Sequence, residues 1–129
     1  GRAMKKINIT AAEMEIMQAV WQSDGPITSH EIMENLPGKK LTTIVTLAGR
    51  LIDKGALTSE KVGRSHAHRY SAAISEDEYK RMQTHDFLSS VHKGSAKSLI
   101  SALFDGDDLT KEDLAELREY IDNEVDKDV

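Results

Sequence analysis

Ile44, Leu47, Ala48 and Leu51 recur at i, i+3, i+4 and i+7, and this run constrains the fold more than any other stretch of the chain. It predicts an amphipathic helix beginning near Thr42, with the apolar stripe turned to a core. The other face carries Thr42, Thr43, Thr46 and Arg50, where an idle solvated face carries mixed Glu and Lys. Threonine is a poor helix former because its branched Cβ loses rotamer freedom, so a group of them at a helix start needs a reason. Short hydroxyls serve base edges or phosphates in a DNA groove, and threonine methyls fit a thymine methyl. A capping cluster on an ordinary helix accounts for the helix taken alone equally well.

The residues beyond the helix shift the balance. Gly55 stands where a helix C-terminus wants a residue free to adopt positive φ. Leu57 to Val62 reads as a strand, Gly63-Arg64-Ser65 as a tight turn, and Ala67 to Ala73 as a return strand around Tyr70. A hairpin directly after a third helix is the wing of a winged helix-turn-helix. Arg64 and His66 fall at or near its tip, within reach of phosphate or minor groove.

The upstream residues supply the two earlier helices. Thr10-Ala-Ala-Glu13 is a capping box, and Met14, Met17, Val20 and Trp21 form the expected buried side of helix one. Gly25-Pro26 ends that helix, and Ile27 is expected to make a one-residue edge contact with the wing sheet. Thr28-Ser-His-Glu31 opens a short second helix through Leu36; Pro37-Gly38 closes it and Lys39-Lys40 lead into the third. The expected fold class is mainly α with a small β-hairpin wing. A winged-helix domain occupies 4–74, with Gly-Arg-Ala before Met4 read as a remnant ahead of the natural start, and a helical region occupies 75–129.

Charge divides the chain at the same place. Residues 1–74 hold 10 Lys+Arg against 7 Asp+Glu, a balance of +3, whereas residues 75–129 hold 7 against 15, a balance of −8. Between Pro37 and Arg64 the count is 6 basic to 2 acidic, so the positive patch coincides with the third helix and the wing, as a footprint on DNA requires. Thr28, Lys39, Lys40, Thr42, Thr43, Thr46, Arg50, Arg64 and His66 are the candidate DNA-binding residues.

The acidic half opens on Ser75-Glu-Asp-Glu78, a third capping box, before a helix carrying Tyr79, Met82, Phe87, Leu88 and Val91. Ala96, Leu99, Ile100 and Leu103 repeat the helical stripe, widened by Phe104. After Asp105-Gly-Asp-Asp108, Thr110-Lys-Glu-Asp113 caps a last helix with Leu114, Leu117, Ile121 and Val125. So short a segment buries little surface alone. Packing back on the first domain is one way to cover it; pairing with a second copy is the other, through Leu88, Leu99, Ile100, Leu103, Phe104, Leu117 and Ile121, and two-fold symmetry would present two reading helices about one DNA turn, or a small multiple of it, apart.

Nothing in the chain calls for catalysis. It has no cysteine, which removes disulfides, thiolate zinc sites and cysteine nucleophiles. No nucleophile elbow, phosphate loop or dinucleotide fingerprint occurs. His66 and His68 alternate on a strand without a third ligand nearby, and Asp105 to Asp108 lacks the alternating spacing of a calcium loop. The expectation is no enzyme, no metal and no cofactor. With no apolar run near membrane-spanning length and no signal peptide, the expected setting is the cytoplasm, without direct membrane binding.

Several of these residues together resemble a known family, the penicillinase (β-lactamase) and methicillin-resistance repressors of bacteria. The resemblance runs over Ala12-Glu-Met-Glu-Ile-Met17, Val20-Trp21, Thr43-Ile-Val-Thr46, Arg50-Leu51, Lys54-Gly55-Ala-Leu57, Gly63-Arg64, and the spaced Tyr79, Phe87, Gly94, Leu99 and Leu103. It implies a dimer that binds palindromic double-stranded operator DNA ahead of resistance genes and represses them. It also implies a membrane β-lactam sensor protease whose signal leads to a cut in the dimerisation helices. By position, the family's third-helix contacts fall on Thr42, Thr43, Thr46 and Arg50, its wing contact on Arg64, and its cleaved bond near Ala102-Leu103, where familiar members have Asn-Phe. Two other readings stay open: a winged helix used for protein–protein docking, which wants an exposed apolar or mixed patch, and a DNA-binding sensor of a small ligand or metal held between the helices, which wants an apolar pocket lined by Trp21 or by the fourth helix.

Overall fold

The computed structural model describes residues 6–64 and 67–127. The first two helices each start where a threonine stops them from fraying. Helix α1 (Ala11–Gln22) opens on Thr10, whose Oγ1 accepts from the Glu13 N–H at 3.2 Å while the Thr10 N–H donates to Glu13 Oε1 at 2.9 Å. After the short strand β1 (Ile27–Thr28), helix α2 (Ser29–Asn35) repeats the device. The Thr28 hydroxyl accepts from the Glu31 N–H at 3.2 Å and donates to Glu31 Oε1 at 2.9 Å. Helix α3 (Leu41–Asp53) ends on Gly55, whose φ of +82° turns the chain so that the Ala56 N–H reaches back to the Leu51 carbonyl at 2.9 Å.

The wing is the antiparallel pair β2 (Leu57–Lys61) and β3 (His68–Ala72), with Leu57 opposite Ala72 and Lys61 opposite His68. Strand order is β1-β3-β2. The edge contact expected of Ile27 alone runs to two residues, Ile27 opposite Tyr70 and Thr28 opposite Arg69.

α3 buries Ile44, Leu47, Ala48 and Leu51, the stripe read from the sequence. On α1 the buried set is Ile16, Met17, Ala19 and Val20 beside Glu13; Met14 and Trp21 pack only partly buried at the core's edge. Trp21 stays at the edge because its indole N–H needs an acceptor, which it finds in the Ile74 carbonyl at 3.0 Å. Ile16, Ile32, Ile44 and Leu51 are fully buried, each contributing about 1.5–3 kcal/mol by leaving water.

The chain divides into two compact units inside helix α4 (Glu76–Ser90), one ending at Met82 and one beginning at Gln83. The sequence pattern puts the boundary at residue 74. The first turns of α4 belong to the first unit because Tyr79 is buried there, its ring 5.8 Å from that of Trp21, with Met82 against the same core.

The second unit contains the rest of α4, helix α5 (Ala96–Asp105) and helix α6 (Lys111–Asp126). Ser95 caps α5 by accepting from the Ser98 N–H, and Thr110 forms a capping box with Asp113 on α6. Lys93 and Gly94, both at positive φ, reverse the chain before α5. Neither α5 nor α6 buries a single described residue.

Candidate nucleic-acid interface

The outward face of α3 is the most distinctive surface of the first unit. Thr42, Thr43, Thr46 and Arg50 are all exposed on it, opposite the buried stripe, and its first turn has no acidic residue. Helices α1, α2, α4, α5 and α6 each begin under a serine or threonine hydroxyl that accepts a backbone N–H. α3 begins instead on Lys40, with no side-chain cap. Its first N–H groups and the positive end of its dipole therefore face outward beside a lysine, an arrangement that favours an anion such as phosphate.

Thr46 is not a free hydroxyl donor. Its Oγ1–H donates to the Thr42 carbonyl at 2.9 Å, the local back-bond that β-hydroxyl residues make within helices. Toward a groove it therefore offers oxygen lone pairs and a methyl. Val45, 46% exposed on the same helix, adds an apolar contact that a sequence reading guided by hydroxyls and charge passes over. The available signal was phase: Val45, directly before Thr46, falls outside the Ile44, Leu47, Ala48 and Leu51 stripe.

The charge of this region is smaller than its composition suggests. Lys39 Nζ lies 2.8 Å from Glu15 Oε2 on α1. Lys54, at the C-terminal cap of α3, donates to the Asn8 carbonyl at 2.8 Å and to Glu13 Oε1 at 2.5 Å. Among the described residues, Lys40, Arg50, Lys61 and Arg64 are the exposed cations of α3 and the wing that remain, with Arg69 on β3 opposite Glu60. The Lys54–Glu13 pair is structural: it ties the end of α3 to the buried start of α1. Burial pushes the Glu13 carboxyl up, but hydrogen bonds from Lys54 and the Thr10 backbone outweigh it and hold the group below its ordinary value.

The other expected DNA contacts divide. Arg64 is exposed in the turn after β2. The Thr28 hydroxyl is committed to the α2 capping box. His66 lies outside the described residues. His68 is exposed as the first residue of β3. Among the described residues no three His, Cys, Asp or Glu side chains gather to hold a metal, and no helix is long and apolar enough to cross a membrane.

In the second unit the stripe residues lie open. Ile100 is 48% exposed, Phe104 51% and Ile121 54%, with Leu103 and Leu117 exposed beside them and Leu88 and Leu99 half-buried. Several of these outline an apolar groove of 330 Å³ between α5 and α6, rimmed by Arg118 and Asp122. Ala102 and Leu103 are in the last two turns of α5.

Comparison with known proteins decides the family. The model of the penicillinase repressor family matches residues 9–123. The chain belongs to the penicillinase repressor family. It is 34% identical over 124 residues to the penicillinase repressor of Bacillus licheniformis, spanning 92% of this chain and 94% of that protein. It is 28% identical over 120 residues to the methicillin resistance regulatory protein MecI of Staphylococcus aureus strain N315, spanning 91% and 95%. The solved DNA-binding domain of the repressor BlaI is 38% identical, covers 59% of this chain and 94% of that structure, and superposes with a TM-score of 0.49. As a member of this family the chain is a DNA-binding transcriptional repressor, a regulator and not an enzyme.

Proposed function

We propose that this repressor acts in the cytoplasm as a homodimer, binding palindromic operator DNA ahead of β-lactam resistance genes. Residues 4–74 read the DNA, residues 75–129 hold the dimer, and a cut near Ala102-Leu103, set off by a membrane β-lactam sensor protease, releases it. The observation that carries the DNA half is the outward face of α3, hydroxyl-rich and opening on an uncapped, lysine-bearing N-terminus. In the major groove, Thr42, Thr43, Thr46 and Arg50 meet base edges and phosphates, and Arg64 on the wing takes the flanking backbone. Lys39 contributes by exchanging Glu15 for phosphate. The dimer half rests on α5 and α6, which leave Ile100, Phe104 and Ile121 about half exposed, a patch that a second copy covers.

The two other readings lose support. Among the described residues of the first unit, Val45 is the one exposed large hydrophobic, too little for a docking patch. The cleft beside Trp21 is open and rimmed by Asp24, Glu76 and Glu78, unlike the enclosed apolar pocket that a small-ligand sensor needs. Binding to duplexes selected from a random-sequence pool, measured across salt, tests the proposal. Neutralising about four phosphates per protomer gives a slope of log affinity against log salt near −3.6 per protomer. A slope near zero, or no selected duplex, refutes it.

A further inference from the structure

Gly49 stands in the middle of α3, where a glycine is hard to justify from within the chain. Glycine is the poorest helix former after proline, through backbone entropy and absent side-chain packing. The usual internal reasons are missing. Its φ is not in the left-handed region, unlike Gly38, Gly55, Gly63 and Gly94. A Cβ built on it would meet nothing within 4 Å beyond its own helix backbone and chain neighbours. No neighbouring element approaches closely enough to exclude a methyl.

Its position points outward. At about 100° per residue, Gly49 lies roughly 140° around α3 from Ile44 and roughly 160° from Leu51, both fully buried. It is therefore close to the pole of the outward face, between Val45 and Thr46 one turn before it and Asp53 one turn after. A rod laid into a groove by this face makes its closest approach where a side chain is missing.

We infer that Gly49 is the point at which the α3 backbone comes nearest to the duplex, its absent side chain admitting a base edge between Val45 and Thr46. The inference rests on the reading of α3 as the DNA-reading helix and adds a determinant of docking depth. Depth in turn decides whether the short side chains of Thr42 and Thr46 reach bases at all, since neither spans a gap that Arg or Gln would bridge.

The test uses the full chain and a duplex that the unaltered protein selects from a random-sequence pool. Gly49→Ala should raise the unfolding midpoint of the first unit by about 4–8 °C, because alanine is the better helix former. The same change should lower affinity for the selected duplex about tenfold, leaving the salt slope unaltered because no phosphate contact is lost. Gly49→Leu should lower affinity further with helix content by circular dichroism intact. If the unaltered protein selects no duplex, the DNA-reading assignment itself fails. If it binds and Gly49→Ala binds as tightly, only the inference about Gly49 is overturned. A midpoint that falls in Gly49→Ala would show an internal need for glycine and overturn it equally.

Discussion

Replacing Glu13 with glutamine tests how the reading helix is held in place. Glu13 is 1% exposed, yet its carboxylate accepts from Lys54 Nζ at 2.5 Å and from the Thr10 N–H at 2.9 Å. Lys54 sits at the C-terminal cap of α3 and Thr10 at the N-cap of α1, so one buried oxygen joins the two helices. Breaking a fully buried ion pair costs about 3–5 kcal/mol, but the Lys54 side chain is 33% exposed and recovers water, which removes a large part of that penalty. Glutamine keeps one acceptor for Thr10 and loses the charge. The expected cost is about 2 kcal/mol, or a fall of about 8–16 °C in the midpoint of a unit this size. The effect depends on pH. Because the folded carboxyl titrates below its ordinary value of 4.5, its contribution is complete above that value and is lost as pH falls through the folded one. Urea unfolding of both proteins at pH 7 and near pH 3 is the assay. The gap between them should be present at pH 7 and shrink in acid. Equal stabilities at pH 7, or a gap that does not change with pH, would show that the Glu13 charge does not hold α3 to α1.

Thr46→Ala should relax sequence preference by about 1–3 kcal/mol of discrimination, while Arg64→Ala weakens binding to all sequences alike; matched and scrambled duplexes separate the two effects. Leu99→Asp should place an unpaired charge in the proposed dimer seam at a cost of several kcal/mol. Analytical ultracentrifugation should then show monomer or unfolded chain, and a folded, fully dimeric variant would move the seam elsewhere. A cut at Ala102-Leu103 would separate Leu103, Phe104 and all of α6 from the rest of α5, so mass spectrometry of β-lactam-treated cells should find two fragments. Intact chain under full induction would exclude that switch.

The parts of the fold that were legible are those written in local periodicity. The α3 stripe, the capping threonines and the hairpin after Gly55 each depend on residues a few positions apart, and the structure has them where the pattern put them. The parts that were not legible depend on distant partners. Glu13 reads locally as a capping residue, and its burial comes from Lys54, 41 positions away. The pairing of Lys39 with Glu15 likewise shrinks a positive patch that composition alone overstated. The start of α4 joins the first unit through a Trp21–Tyr79 ring contact that no local pattern announces. On the candidate site, Thr42, Thr43, Thr46 and Arg50 were legible from phase. The committed hydroxyl donor of Thr46 depends on its rotamer, and the open space over Gly49 on what packs nearby, neither of which a local pattern carries.

In the proposed complex two copies of this chain present two α3 faces to one two-fold symmetric site. Hydroxyl-radical footprinting of the pure protein on the DNA upstream of its own gene tests that most directly. A dimer on a two-fold site should give two symmetric protections, centred about 34–36 Å apart or a small multiple of that, which appear together as protein is added. A single unsymmetrical protection, or two that fill independently, would contradict it.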